Sequence, residues 1–209
     1  IMSESNARGL AQNMFSAYNL LPSPAYFRNL LAPVISFASS TIYGINNGSY
    51  PKDISSYEEQ LAFINDYYNN RSDPNLTNTI MPIKGNSYIG RLSKTWRNIF
   101  DLYHWPNNIP NYSIVGYGEN TPKTLEYFMT STCAWSLISG LLCGYSPTYK
   151  AGETKLGDGT VVASSAAYDA RGSYFLDLPK ISKYEDNRIV HANITESSTT
   201  QRLIQDIIT

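Results

Sequence analysis

Histidine and cysteine are nearly absent from this 209-residue chain, two of each, and charged residues make up only 16% of it. The two histidines, His104 and His191, lie far apart and the cysteines stand beside neither, so no recognisable metal-ligand set is present and a metal hydrolase is disfavoured. No cofactor-binding motif is found. Sixteen Lys and Arg against seventeen Asp and Glu leave a net charge of −1, which removes the electrostatic footprint of a nucleic-acid binder. No apolar run approaches the ~18 residues that a membrane-spanning helix needs. The opening Ile-Met-Ser-Glu-Ser lacks the basic and apolar regions of a signal peptide.

What is present points to a folded core with an uncharged polar surface. Hydrophobic residues reach 42%, which excludes disorder driven by low hydrophobicity, and Asn, Ser, Thr and seventeen Tyr supply the polarity. That composition leans toward an exported, extracytoplasmic protein. Cys133 and Cys143, ten positions apart, can close a small loop or sit as two buried thiols; a chain this long needs no staple, which favours the thiols. Sequons at Asn47, Asn70, Asn75, Asn111 and Asn193 carry little weight in so Asn-rich a chain.

The first half reads as mostly helical. Apolar residues recur at helical spacing over 7–15, and Pro22 and Pro24 end that segment. A second helical pattern runs over 25–37, where Pro33 should bend or break it. Residues 46–51 and 69–78 read as loops. Between them Ser55 or Ser56 caps a helix with Glu58 and Glu59 in its first turn and Leu61, Ile64, Tyr67 and Tyr68 on one face. A further helix is expected over 87–103, with Ile89, Leu92, Trp96, Ile99, Phe100 and Tyr103 on its apolar side.

The pattern changes at the turn-rich 106–110. Residues 112–118 have the apolar run and glycine exit of a buried strand. Over 124–142 β-branched and aromatic residues favour strands over a helix. Gly157-Asp158-Gly159 makes a tight acidic turn into Thr160-Val161-Val162, and 180–184 reads as another short strand. Finally Ser198 to Gln201 form a capping pattern ahead of a helix whose stripe is Leu203, Ile204, Ile207 and Ile208, expected to pack on a sheet.

Chemistry is concentrated in a few residues. His104, at the end of an apolar helix beside Trp105-Pro106, fits a packed or capping role. His191 leaves a short apolar segment by a loop, a suitable place for a general base. Asp158, flanked by two glycines, sits at a sharp bend from which its side chain projects, although Asp-Gly is also an ordinary turn pair. Acid, then histidine, then a terminal helix is the order that ends an α/β-hydrolase triad.

Gly157-Asp158-Gly159-Thr160-Val161 followed by His191 resembles the acid and histidine motifs of the lecithin:cholesterol acyltransferase-like and lipase branch of the α/β-hydrolases. Residues Ser16-Ala17-Tyr18-Asn19-Leu20-Leu21-Pro22-Ser23 resemble the Pro-Ser-X-Tyr-X-Leu-Leu-Pro stretch of that family's cap region, with Phe15 in place of its proline. Strand 114–118 with Thr121-Pro122 resembles the strand and loop preceding the acid. The nucleophile elbow Gly-X-Ser-X-Gly occurs nowhere, and Gly144-Tyr145-Ser146-Pro147 does not satisfy it.

The resemblance therefore implies a partial α/β-hydrolase fold of α/β class: a helical cap or lid over 1–110, then the C-terminal strands and helix of the core over 111–209. It implies a serine ester hydrolase or acyltransferase acting on lipid-like esters. Asp158 and His191 would be its catalytic acid and base, and the serine would come from elsewhere. Tyr26, Phe27, Leu30, Leu31, Trp96 and Phe100 would cover an acyl pocket or simply pack. Because few strands cannot close a parallel sheet, the chain is expected to associate with a missing N-terminal segment of the same enzyme, to swap strands with a copy of itself, or to expose a sticky apolar edge. The competing expectation is a non-catalytic binding domain in which Asp158 and His191 are structural.

Overall fold

The computed structural model describes residues 2–29, 32–38, 50–66, 84–100, 103–136, 140–167 and 172–209. Leu30, Leu31, Tyr67, Tyr68, the 69–78 segment and the sequons at Asn47, Asn70 and Asn75 lie outside them. Helices combine with a sheet of mixed parallel and antiparallel pairing, so the chain is of α/β class. It divides into two compact units, Ile1–Tyr103 with Thr124–Lys150, and His104–Lys123 with Ala151–Thr209.

In the first unit, helix α1 (Glu4–Gln12) starts at Ser3, whose hydroxyl accepts from the Asn6 amide, and stops at Asn13. A separate short α2 (Phe15–Asn19) follows, so the expected single helix over 7–15 is broken. The 25–37 pattern is likewise split. Helix α3 (Pro24–Asn29) ends before Pro33, and Val34 already serves a ladder, taking a bond from Leu125 and donating to Ile54. Strand β1 (Ile35–Phe37) then pairs antiparallel with β2 (Asp53–Ile54) and parallel with β4 (Thr121–Ser136). Helix α4 (Tyr57–Asn65) forms as its sequence dictates: Ser56 and Glu59 cap each other's backbone amides reciprocally.

Phe37, Phe63, Tyr50 and Tyr127 make the centre of this unit with Val34 and Ile54, Phe37 stacking on Tyr127 at 5.6 Å. Tyr50 keeps its buried hydroxyl satisfied on Asp66, 2.9 Å away. Helix α5 (Ser87–Phe100) is tied to α2 because Arg97 donates to the carbonyls of Asn19 and Leu21 while Ser93 donates to Asn19. Its apolar side, with Tyr88, Ile99 and Phe100, is exposed.

Strand β5 (Gly140–Thr154) lies beside β4 at the edge of the described sheet. Glu126 meets Lys150, Tyr127 meets Tyr149, Thr130 meets Ser146 and Cys133 meets Cys143. Each step forward on β4 matches one step back on β5, the signature of an antiparallel ladder. The cysteines are thus disulfide-bonded on an exposed ladder and are not two buried thiols. Registry, which pairing in sequence does not reveal, brings them together.

The second unit is built on β3 (Tyr112–Tyr117) and β6 (Gly172–Asp177), parallel and in register from Tyr112 opposite Gly172 to Tyr117 opposite Asp177. Residues 180–184, expected as a strand, belong instead to helix α7 (Leu178–Glu185). Asp177 caps it by accepting from the Lys180 amide, and Pro179 sits in the first turn, where no amide is missed. Leu178, Ile181 and Ile189 bury together against Leu176 and Ile194. A short helix α6 (Ala163–Ala166) follows the acid loop, and a 3₁₀ helix (His191–Glu196) leads into α8 (Ser198–Ile208). The true cap of α8 is Ser197. It packs against the preceding 3₁₀ helix, and Leu203, Ile204 and Ile207 are half-buried.

Candidate functional site

Strand β3 ends at Tyr117, and from Gly118 the chain runs alongside residues 155–158. The Gly118 amide donates to the Lys155 carbonyl and that of Glu119 to Gly157. Glu119 and Asp158 are bridged in parallel, and Gly157 is bridged to Val162. The Asp158 loop is thus bracketed on both sides by backbone. Gly157 approaches Thr121 so closely that an added Cβ would lie 2.4 Å from its hydroxyl oxygen, and Gly159 has φ of +95°. Both flanking positions exclude a side chain, one by contact and one by conformation.

Within this loop the Asp158 carboxylate is divided between two tasks. Oδ1 accepts from the amides of Thr160 (3.0 Å) and Val161 (2.7 Å), which fixes the plane of the group. Oδ2 lies 2.7 Å from Nδ1 of His191. An ionised carboxylate can only accept, which makes Nδ1 the donor of this bond, and in the neutral ring Nε2 is then the acceptor. The backbone repeats the link, since the His191 amide donates to the Asp158 carbonyl at 3.1 Å. Asp158 is buried at 6% while the His191 side chain is 46% exposed. A buried acid holds a histidine whose outer edge faces solvent.

His191 is fixed from its own side as well. Asn193 accepts from the Val190 amide through Oδ1 and donates to the Arg188 carbonyl through Nδ2, clipping the chain on either side of the imidazole. Ile189 is 1% exposed and anchors the approach. The sequon at Asn193 is consequently occupied by structure: a glycan on Nδ2 would displace this clip.

Asp158 and His191 open onto a cleft of about 470 Å³, whose wall includes Glu119, Asn120, Lys155, Thr160 and Arg188. Arg188 and Glu119 stand 3.9 Å apart across it. The described lining contains no serine or cysteine. Among the described residues no cluster of His, Cys, Asp and Glu could hold a metal ion, and no helix is long and apolar enough to cross a membrane.

The other candidate residues fall elsewhere. His104 is exposed in the segment after α5, so of the packed or capping role expected of it the packed one is not met. Tyr26 and Phe27 pack on the core of the first unit, and burial pushes the Tyr26 hydroxyl's pKa up. Trp96 and Phe100 stack on each other on the exposed side of α5. A separate cleft of about 270 Å³ in the first unit is lined by others, among them Ala11, Ala17, Tyr18, Leu21 and Ile64.

Sequence reasoning missed Thr121 and Asn193. The Thr-Pro pair at 121–122 and the Asn two positions after His191 were visible, but nothing in their spacing announced which backbone groups they would hold. No protein-family model matches this chain, and no curated protein and no solved structure matches it significantly.

Proposed function

We propose that this chain is the cap and C-terminal part of a serine ester hydrolase or acyltransferase of α/β-hydrolase type, supplying the acid and the histidine of a Ser-His-Asp triad. The observation that carries the reading is the Asp158–His191 contact at 2.7 Å, with the acid buried and doubly held and the imidazole presented to a cleft. In this reading Asp158 keeps Nδ1 protonated and stabilises the imidazolium. His191 removes the proton from a serine hydroxyl through Nε2 as that oxygen attacks the ester carbonyl. The same proton then passes to the departing alcohol, leaving an acyl-enzyme. Water or a second alcohol, deprotonated in turn by Nε2, attacks that acyl group and returns the serine.

The serine is assigned to another stretch of polypeptide, a missing N-terminal segment or a second copy. Two features support this. The described cleft lining offers no serine or thiol, and β3 and β6 form a parallel pair whose neighbours Tyr174 and Phe175, on opposite faces, are both exposed. A lipid-like ester is the proposed substrate class. An extracytoplasmic location accords with the Cys133–Cys143 disulfide.

The test is hydrolysis of para-nitrophenyl esters by the product of the complete open reading frame that contains this chain. Activity abolished by His191→Ala, with the fold retained, supports the reading; activity undiminished by that change overturns it. A second reading, an interaction domain, is favoured by one observation. No charged residue stands between Glu126 and Lys150, and in the ladder that joins them Trp135, Tyr145 and Leu141 are exposed. Inert wild-type product that still self-associates or binds a partner would favour it.

A further inference from the structure

We propose that Thr121 is a positioning residue for the acid–histidine pair, acting through the backbone of Gly159. Thr121 is fully buried at the start of β4. Its hydroxyl is engaged on both sides: it donates to the Glu119 carbonyl at 3.0 Å and accepts from the Gly159 amide at 2.9 Å. Gly159 is the residue whose left-handed conformation turns the loop, so this single bond fixes the peptide between the acid and the two amides that hold its Oδ1. The hydroxyl does so from a strand that the loop does not belong to.

A valine at 121 keeps the shape and deletes the acceptor. The Gly159 amide is then left without its partner inside the loop, and the peptide is free to rotate toward water. Because Thr160 and Val161 follow directly, their amides move with it, and the carboxylate that they orient turns away from Nδ1. Serine keeps the hydroxyl and loses only a methyl group. The geometric part of the proposal stands on the contacts alone; its catalytic consequence rests on the hydrolase reading.

The experiment uses nitrogen-15 labelled chain and follows two signals. The first is the His191 Hδ1 resonance, shifted downfield and protected from exchange when Nδ1 donates to Asp158; the second is the exchange rate of the Gly159 amide. Expected are a downfield Hδ1 and a slowly exchanging Gly159 amide in wild type, both kept in Thr121→Ser, and loss of the Hδ1 signal in Thr121→Val. A Thr121→Val protein that folds and keeps the Hδ1 signal overturns the proposal. If that variant does not fold, a Gly159 amide exchanging at the rate of an unprotected peptide in wild type overturns it instead, and protection there supports it. In the catalytically complete product, Thr121→Val is expected to lower kcat by up to about 100-fold with KM little changed. An inert wild type would sink the hydrolase reading while leaving the resonance result intact.

Discussion

Asp158 and Glu185 are both carboxylates of the second unit that accept from backbone amides, and they differ in what is left over. Glu185, at the end of α7, takes the amides of Ser198 and Thr199 and the hydroxyls of Ser197, Ser198 and Thr199. The Thr199 amide, with the hydroxyl contacts, holds its pKa down to about 2 from an ordinary 4.5, and both its oxygens are committed to the start of α8. Asp158 gives one oxygen to its own loop and keeps the other for an imidazole that faces a cleft. A carboxylate fully used up joins two helices. One that is half used can orient a base.

The comparison breaks most visibly if the two acids respond alike to loss of charge. Asp158→Asn leaves an amide oxygen for Thr160 and Val161 but presents an NH₂ to Nδ1, forcing the wrong tautomer. In the catalytically complete product kcat is expected to fall about 10⁴-fold, with thermal unfolding little changed. Glu185→Gln should do the reverse, lowering Tm at neutral pH with activity preserved at temperatures where the variant is folded. Thermal unfolding and steady-state kinetics on both variants check the pair.

The pH dependence sharpens the same contrast. Glu185 has a folded pKa below its unfolded value, so its stabilisation is fully present above about pH 4.5 and is lost as pH falls toward about 2. Tm of the wild type should fall more steeply across that window than Tm of Glu185→Gln. Equal slopes in calorimetry would remove Glu185 from the account.

Smaller effects are expected in the first unit. Opening the Cys133–Cys143 bridge removes a constraint worth about 3 kcal/mol in a loop of this length by the chain-entropy estimate. The loss should appear as faster proteolysis between the two cysteines, with the His191 resonance unmoved. Smallest of all, Trp135→Ser should change stability by no more than about 0.5 kcal/mol, because the side chain is 83% exposed. Its effect should instead be on self-association, measured by size-exclusion chromatography with light scattering.

Local chemistry made part of this fold readable. Ser56 with Glu59, the apolar run of β3 and the glycine-flanked Asp158 each declare themselves within a few residues, because caps, buried strands and tight turns are set by immediate neighbours. Features that depend on distant partners did not. Nor does a short apolar pattern settle its own period: residues 180–184 fit a strand by themselves, and it is the Asp177 cap with Pro179 in the first turn that makes them helical. The bridge across β4 and β5 depends on register, and Glu185 reaches α8 from twelve or more residues away. At the candidate site, Asp158 and His191 were legible as a pair from motif order, while Thr121 and Asn193, which hold them, act through backbone groups that no side-chain pattern discloses.

The most direct test is covalent trapping. The product of the complete open reading frame, treated with a fluorophosphonate probe and mapped by mass spectrometry, is expected to carry the label on one serine that is not among the described residues lining the Asp158–His191 cleft, and to lose it in His191→Ala and largely in Asp158→Asn. Labelling that survives His191→Ala unchanged, or a folded wild type that takes no label, would contradict the account.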